Sequence, residues 1–411
     1  MRKGNNVIRI IVFVLLVAVG GWCASRWDVW FHNPEEAPYT PSSTPTRVLL
    51  TFGDEDGIKS RNVSWMCGEE VQTSCVELID LNSQLVPQNR QLIKASGEVF
   101  ESRSGKATYY VARMRGLNAG HTYRYRVCTG DKKSEWHEFH LPCKDEHETT
   151  FIYMGDIQDS IGGIANQLLK EAFRQNPDAE FFVCGGDLTE RPTDAYWGET
   201  FASLDSIGQV VPVLTVTGNH DYLKGVIGQL ERRFSLIHSY YLDSMIGENQ
   251  VFTVRYKDVQ LFCLDSNREF FHLWTQRQWL EEHLTKSNTK WKIVVVHHPL
   301  YSVRGETNNL IQRWMFDDLI QKYGVNVILQ GHEHAYARRI SDTLPSSLIY
   351  IISHCSPKGY RINPPEGRFD KIEKDIRSYQ KVRISCDTLF LTAYDAVKGT
   401  LIDSLCIPSS R

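Results

Sequence analysis

Phe151-Ile152-Tyr153-Met154-Gly155-Asp156 is a short apolar run that ends on a glycine and a carboxylate, and the same grammar returns four more times along the chain. Phe181-Phe182-Val183-Cys184 leads to Gly186-Asp187, and the run 211–216 leads to Gly218-Asn219-His220-Asp221. The run 293–296 leads to His297-His298, and 325–329 leads to Gly331-His332-Glu333-His334. Stretches with helical spacing lie between them at 164–173, 196–207, 276–284 and 310–323, with a further strand pair at 251–255 and 259–264. Strands alternating with helices predict a layered α/β domain. In such sheets ligand sites collect at the carboxyl ends of strands. A glycine beside each polar residue lets the backbone turn sharply there.

Those strand ends bring two carboxylates, one amide and at least three imidazoles to a single rim. Imidazole and carboxylate donors suit zinc, iron or manganese, and the absence of a CxxC pair argues against a thiolate site. A carboxylate such as Asp187 can bridge two cations, which together polarise a phosphoryl oxygen and generate hydroxide near neutral pH. Each residue alone has a plainer reading: Asp and Asn after a strand form turns or cap helices, and a single histidine is usually a satisfied polar residue. The order and the shared position at strand ends are what point to a metal centre.

Gly155-Asp156, Gly186-Asp187, Gly218-Asn219-His220-Asp221, Val294-Val295-Val296-His297 and Gly331-His332-Glu333-His334 together resemble the calcineurin-like metallophosphoesterase family. The resemblance is nearest to purple-acid-phosphatase-like members, which carry a β-sandwich ahead of the catalytic domain, and it covers the chain from about residue 46 onward. It implies a four-layer αββα catalytic fold and hydrolysis of phosphate esters by in-line attack of a metal-bound hydroxide. It implies two divalent or trivalent ions, with Asp156, Asp187 and His334 on the first. Asp187 as bridge, with Asn219, His297 and His332, would hold the second. His220 would stand beside the scissile phosphate, stabilising its charge or protonating the leaving oxygen, with Asp221 orienting its ring. Two positions depart from the pattern. Gln158 stands where many relatives have histidine, and either ligates the first metal or lines the pocket. Glu190 stands where purple acid phosphatases have a metal-binding tyrosine, and is read as a loop residue. Arg304, in the loop after His297, is a candidate phosphate grip, and His354 and Lys358 are further candidates for the pocket.

From Arg47 to about Pro142 the pattern is different: short β-rich runs with Gly, Asn and Asp between them, about one hundred residues that suggest a small antiparallel sandwich. In Tyr123-Arg124-Tyr125-Arg126-Val127 aromatics share one face and arginines the other. The expected fold is thus multidomain: a fibronectin-III-like β-sandwich over 46–143, then an αββα metallophosphoesterase domain over 148–411. Ahead of these, Arg2, Lys3 and Arg9 flank an uncharged apolar run from Ile10 to Gly20. Residues 1–25 therefore read as a secretory signal peptide or an uncleaved membrane anchor, two readings the sequence leaves open. Residues 26–45, with Pro34, Pro38, Pro41 and Pro45, read as a semi-extended spacer. Either way the chain is expected to be exported: secreted, periplasmic, or tethered to a membrane with its catalytic domain outside the cytoplasm.

The chain has 411 residues, 42% of them hydrophobic and 23% charged, with a formal net charge of -3. That is a folded multidomain balance, and it offers no electrostatic case for a nucleic-acid groove. The expected partner is a small phosphorylated substrate. The class is left open among phosphomonoesterase, phosphodiesterase or nucleotidase of narrow specificity, and a surface-binding protein built on a vestigial phosphoesterase scaffold. Ten cysteines in an exported chain invite disulfides. Cys67/Cys75 and Cys386/Cys406 are candidate pairs, whereas Cys184 and Cys263 lie in apolar strands and read as core.

Overall fold

The computed structural model describes residues 2–83, 90–225, 228–240, 246, 250–341, 348–385 and 387–409. It begins with one helix, Arg2–Phe31, whose span Arg9–Phe31 has no buried residue. The helix runs six residues into what the sequence marks as spacer. It stops just ahead of Asn33-Pro34, where the proline ring disfavours helical backbone in the preceding residue. The rest of the proline-rich segment has no regular secondary structure, but it is not a free spacer. Asn33 exchanges hydrogen bonds with the backbone of Lys224 at 2.9 and 2.8 Å, and Tyr39 N–H donates to Ser104 O at 2.8 Å. Glu36 forms an ion pair with Arg233 at 2.8 Å, both side chains 2% exposed or less. The polar residues beside and between the prolines dock this strap.

The sandwich follows. Thr46–Phe52, Arg61–Met66 and Gly105–Met114 form one sheet; Ser74–Asp80, Thr122–Thr129 and His137–His140 form the other. The long strand Gln91–Ser102 belongs to both. Its first residues pair with Ser74–Asp80, and from Ala95 onward it pairs with Gly105–Met114. Trp65, Val76, Tyr125 and Phe139 fill the interior. The alternation at 123–127 holds: Tyr123 and Tyr125 are buried, while Arg124 and Arg126 face outward to Glu138 and Glu77. The sandwich is fastened to the second domain by the Arg47–Asp194 ion pair, by Tyr125 Oη donating to Gln209 O, and by Leu50 N–H donating to Gly208 O.

Two sheets face each other in the second domain. Thr149–Met154, Phe181–Cys184 and Val213–Thr215 run parallel and are continued antiparallel by Ser378–Ser385, Thr388–Asp395 and Leu401–Pro408. The other sheet is centred on Val259–Leu264, Trp291–Val296, Val327–Gln330 and Leu348–Ile352, all parallel. Phe151, Tyr153, Phe181, Leu261, Ile293 and Leu329 close the space between the sheets. Helices Ala165–Gln175 and Asp194–Leu204 cover the outside of the first sheet; Phe270–Lys286 and Leu310–Lys322 cover the second. This is an αββα stack. The helix expected at 276–284 starts six residues early, because its first turn carries Phe270, Phe271 and Trp274 on a face that amphipathic spacing would make polar.

The cysteines correct one expectation. Cys67 and Cys75 are not joined: Cys67 Sγ donates to Ser43 O, and Cys75 lies across from Cys128 on the neighbouring strand, both thiols free. Cys184 and Cys263 are buried in strands as expected. Cys386 lies outside the described residues, so the Cys386/Cys406 pairing lies outside them too.

Candidate metal centre

Backbone strain marks the rim where the strands end. Asp156, Asp187, His332 and His334 all have positive φ, at 46°, 53°, 70° and 46°. A non-glycine residue there costs of order 1 kcal/mol and persists only where the surroundings fix it. Neighbouring glycines make the crowding possible. A Cβ at Gly218 would sit 2.0 Å from Asp187 Oδ1, and one at Gly331 would sit 2.3 Å from Asp156 Oδ2.

The side chains converge from five separate strand ends. Oxygen or nitrogen atoms of Asp156, Asp187 and His297 lie within 4.8 Å of one another. Asn219 Oδ1 is 3.2 Å from His297 Nε2 and 2.8 Å from His332 Nδ1. Asp187 Oδ2 is 3.4 Å from His297 Nε2, and Asp156 Oδ1 is 3.3 Å from His334 Nε2. The structure thus brings Asp156, Asp187, Asn219, His297, His332 and His334 into one cluster, with Asp156, Asp187, His297 and His334 buried, His332 half-buried and Asn219 exposed. Two rings are oriented from behind: His297 Nδ1 meets Gly185 O at 2.8 Å, and His334 Nδ1 meets Lys358 O at 3.0 Å. A carbonyl can only accept, so Nδ1 carries the proton and Nε2 faces the cluster, the arrangement of metal-binding imidazoles.

Electrostatics show what the cluster wants. Burial disfavours charge at His297, yet Asp187 and Asp156 overcome it and raise its pKa to about 10. Burial alone would raise Asp187, but His297 and the His220 N–H hold it well below the usual carboxylate range. Burial and His297 bring His298 down to about 3, and burial with His298 and His297 lowers His332 far below its ordinary value. Asp156 Oδ1 is buried and accepts no hydrogen bond. Two close carboxylates that hold His297 protonated, the neutral His332 ring and an unsatisfied carboxylate oxygen fit cations at this position.

Residues 149–336 match the family model for the calcineurin-like phosphoesterases, and residues 45–141 match that for the purple acid phosphatase N-terminal domain. The chain carries a calcineurin-like phosphoesterase domain behind a purple acid phosphatase N-terminal domain. A phosphoenolpyruvate phosphatase from Allium cepa is 25% identical over 352 residues, covering 77% of this chain and 67% of its own length. The Fe(3+)-Zn(2+) purple acid phosphatase 12 of Arabidopsis thaliana is 25% identical over 329 residues, covering 74% and 66%. This chain thus spans about two thirds of the length of the curated relatives it matches. Purple acid phosphatase PPD1 from yellow lupin superposes with a TM-score of 0.75 at 16% identity, over 89% of this chain and 74% of its own. It shares the fold, sandwich included.

Gln158 is buried beside the cluster, Nε2 3.4 Å from His334 Nε2, with its Oε1 unpaired. Glu190 is turned away and holds Lys358 Nζ at 2.5 Å. His220 lies at the rim, its N–H donating to Asp187 Oδ1 at 2.8 Å. Its ring corrects an expectation: Nδ1 meets Glu190 O at 2.7 Å, whereas Asp221 turns back within the short turn Asn219–Asp221 to accept from Gly218 N–H. Asp221 is therefore a brace for the Asn219 turn. Arg304 is exposed and lies over the Tyr360 ring at 4.5 Å, and Tyr360 in turn packs on His334 at 4.4 Å. His354 is buried and stacks on His334 from within. Sequence reading missed Tyr360, which sits in an irregular segment without periodicity, and set aside His298, whose ring is 4.3 Å from His332.

Proposed function

We propose that this chain is an exported phosphoesterase that hydrolyses phosphate esters at a dinuclear metal centre. The convergence of six donor side chains from five strand ends, with Asp156 Oδ1 buried and unsatisfied, carries the reading. Asp156, Asp187 and His334 would hold one ion, with Gln158 Oε1 in reach of the same side; Asp187, Asn219, His297 and His332 would hold the other. The donors suit iron, zinc or manganese. Two such ions supply Lewis acidity toward phosphoryl oxygens and make water acidic enough to ionise near neutral pH.

The chain's own residues do the rest. Glu190 O fixes the tautomer of His220 by taking the proton on Nδ1, so Nε2 faces the cavity it shares with Asn219. In its protonated form that nitrogen donates to the leaving oxygen; in its neutral form it accepts from a phosphate hydroxyl or water. Arg304, spread over Tyr360 at the mouth, adds a planar donor pair for the phosphate. Half-buried His298 supports the His332 ring from behind and is itself held by Ser266 Oγ at 2.9 Å. The named activities of the relatives, toward phosphoenolpyruvate and as acid phosphatases, favour small phosphomonoesters.

Asn219→Ala and His332→Ala test this directly. Each should lower turnover on an aryl phosphate by orders of magnitude and reduce bound metal, with the circular dichroism spectrum unchanged. Undiminished hydrolysis in either variant would refute the assignment.

A further inference from the structure

The helix Phe270–Lys286 starts just past the strand Val259–Leu264, and Leu310–Lys322 starts just past the loop that leaves His297. Their first turns therefore lie at the same edge of the sheet as the metal cluster. Gln312 donates to Ser266 O, Ser266 Oγ bonds His298, and the His298 ring packs on His332, which ties these turns to the cluster by direct contacts. Here the chain exposes a patch of large apolar side chains: Phe271 79%, Trp314 62%, Ile311 52%, Phe270 and Trp274 44% each, and Leu310 41%. Phe270 stacks on Trp314 at 5.9 Å, and Trp274, Leu310 and Trp314 line an open groove. Nothing among the described residues of this domain explains so much exposed aromatic surface at helix starts, since soluble proteins rarely leave a contiguous patch of this kind bare.

The opposite side of the same mouth is made by the strap. His32, Asn33 and Pro34 border one cavity with Asn219 and His220, and Asn33 is bonded to Lys224 in both directions. Tyr222, two residues before Lys224, hydrogen-bonds Asp265 next to Ser266, so the strap and the apolar patch flank a common opening. The helix ends at Phe31, and Asn33 is already docked. Two residues of chain reach at most about 7 Å, so the end of the helix cannot leave the rim. The span Arg9–Phe31 is 23 residues with mean hydropathy 1.9, about 35 Å as a helix, enough to cross a hydrocarbon core. Its domain-proximal end carries Trp22, Trp27 and Trp30, the residues that settle at a headgroup boundary. Arg2, Lys3 and Arg9 at the far end favour the cytoplasmic side.

We infer that the helix is retained as a membrane anchor, and that the catalytic mouth rests on the outer bilayer surface with the patch at 270–274 and 310–314 seated in the lipid interface. The substrate class that follows is the phosphate monoester of a membrane amphiphile, presented from the bilayer. Hydrolysis breaks the P–O bond to the lipid alcohol; water supplies the oxygen to phosphorus and a proton to the alcohol, releasing inorganic phosphate. The substrate part rests on the phosphoesterase reading; the membrane placement does not.

The test uses the full chain reconstituted in phosphatidylcholine vesicles doped with phosphatidate, compared with a soluble aryl phosphate. Phe271→Asp with Trp314→Glu should cut phosphate release from the vesicles by about tenfold or more, as expected for losing two large apolar contacts, and leave hydrolysis of the soluble ester unchanged. Brominated acyl chains should quench tryptophan fluorescence less in Trp314→Phe than in the unsubstituted chain. Equal quenching in the two, or a patch that proves to join two copies of the chain and dissociates in the double variant, would overturn the membrane placement. So would a membrane-fraction protein whose amino terminus lies beyond Phe31. Quenching with no hydrolysis of either ester would instead refute the phosphoesterase reading and leave the placement standing.

Discussion

Glu36→Ala should destabilise the whole phosphoesterase unit, although Glu36 lies in a proline-rich strap 158 residues from Asp194 and 197 from Arg233 in sequence. Its carboxylate accepts from Arg233 at 2.8 Å, from Arg103 at 3.1 Å, and from the backbone N–H of Asp194 at 2.9 Å, at the start of the helix Asp194–Leu204. Removing one partner of a buried pair costs about 3–5 kcal/mol, because the other charge stays buried and unpaired. Arg233 keeps Glu231 at 3.5 Å, which places the loss near the lower figure. Losing the contact to the helix start adds about 1 kcal/mol. The sum, about 4 kcal/mol, is a large share of the 5–15 kcal/mol typical of a domain. Urea unfolding of the full chain in detergent micelles, followed by tryptophan fluorescence, measures it. Glu36→Leu combined with Arg233→Met should recover most of the loss, since a well-packed apolar pair replaces the ions without leaving a charge behind. A loss below about 1 kcal/mol for Glu36→Ala would show that the strap is not part of the cooperative unit, and would remove the basis for fixing the helix at the mouth of the site.

Further outcomes are specific to single residues. Burial, with Arg233 only partly offsetting it, raises Glu231 to about 7. The folded chain therefore binds this proton more tightly than the unfolded chain does, and stability falls as pH rises from about 4.5 to about 7, by about 3 kcal/mol. Glu231→Gln should flatten that slope; an unchanged pH profile of the unfolding midpoint would contradict it. His220→Ala should lower turnover about 10²–10⁴-fold with metal content unaltered, whereas loss of metal would mean the ring ligates. Gly218→Ala places a Cβ 2.0 Å from Asp187 Oδ1, so metal content and activity should fall together while the sandwich keeps its protection from hydrogen exchange.

Much of this was legible in sequence because strand ends are legible. Asp156, Asp187, Asn219, His297, His332 and His334 each follow an apolar run of four to six residues, and a parallel strand must deliver its next polar residue to the carboxyl edge of the sheet. Alternation at Tyr123–Val127 gave the facing of that strand for the same reason, a strict period of two. What stayed hidden had no period. The docking of Asn33 and Glu36 depends on Lys224 and Arg233, and proline-rich composition says nothing about such distant partners. The resemblance to the family implied that Asp221 orients the His220 ring, but the tight turn at 219–221 points its carboxylate back to Gly218 N–H. The start of Phe270–Lys286 was missed because exposed aromatics broke the amphipathic pattern, and the same residues carry the inference about the bilayer. Tyr360 and the contact between Lys358 and Glu190 belong to irregular loops, where only the three-dimensional path of the chain brings them over the site.

The decisive measurement is metal content by mass spectrometry on the purified full chain, paired with phosphate-ester hydrolysis before chelation, after it, and after reloading. About two ions per chain are expected, with hydrolysis lost on chelation and restored in proportion to the metal returned. Hydrolysis that persists in a fully stripped and still folded chain would contradict the account, as would an intact pocket that takes up no iron, zinc or manganese.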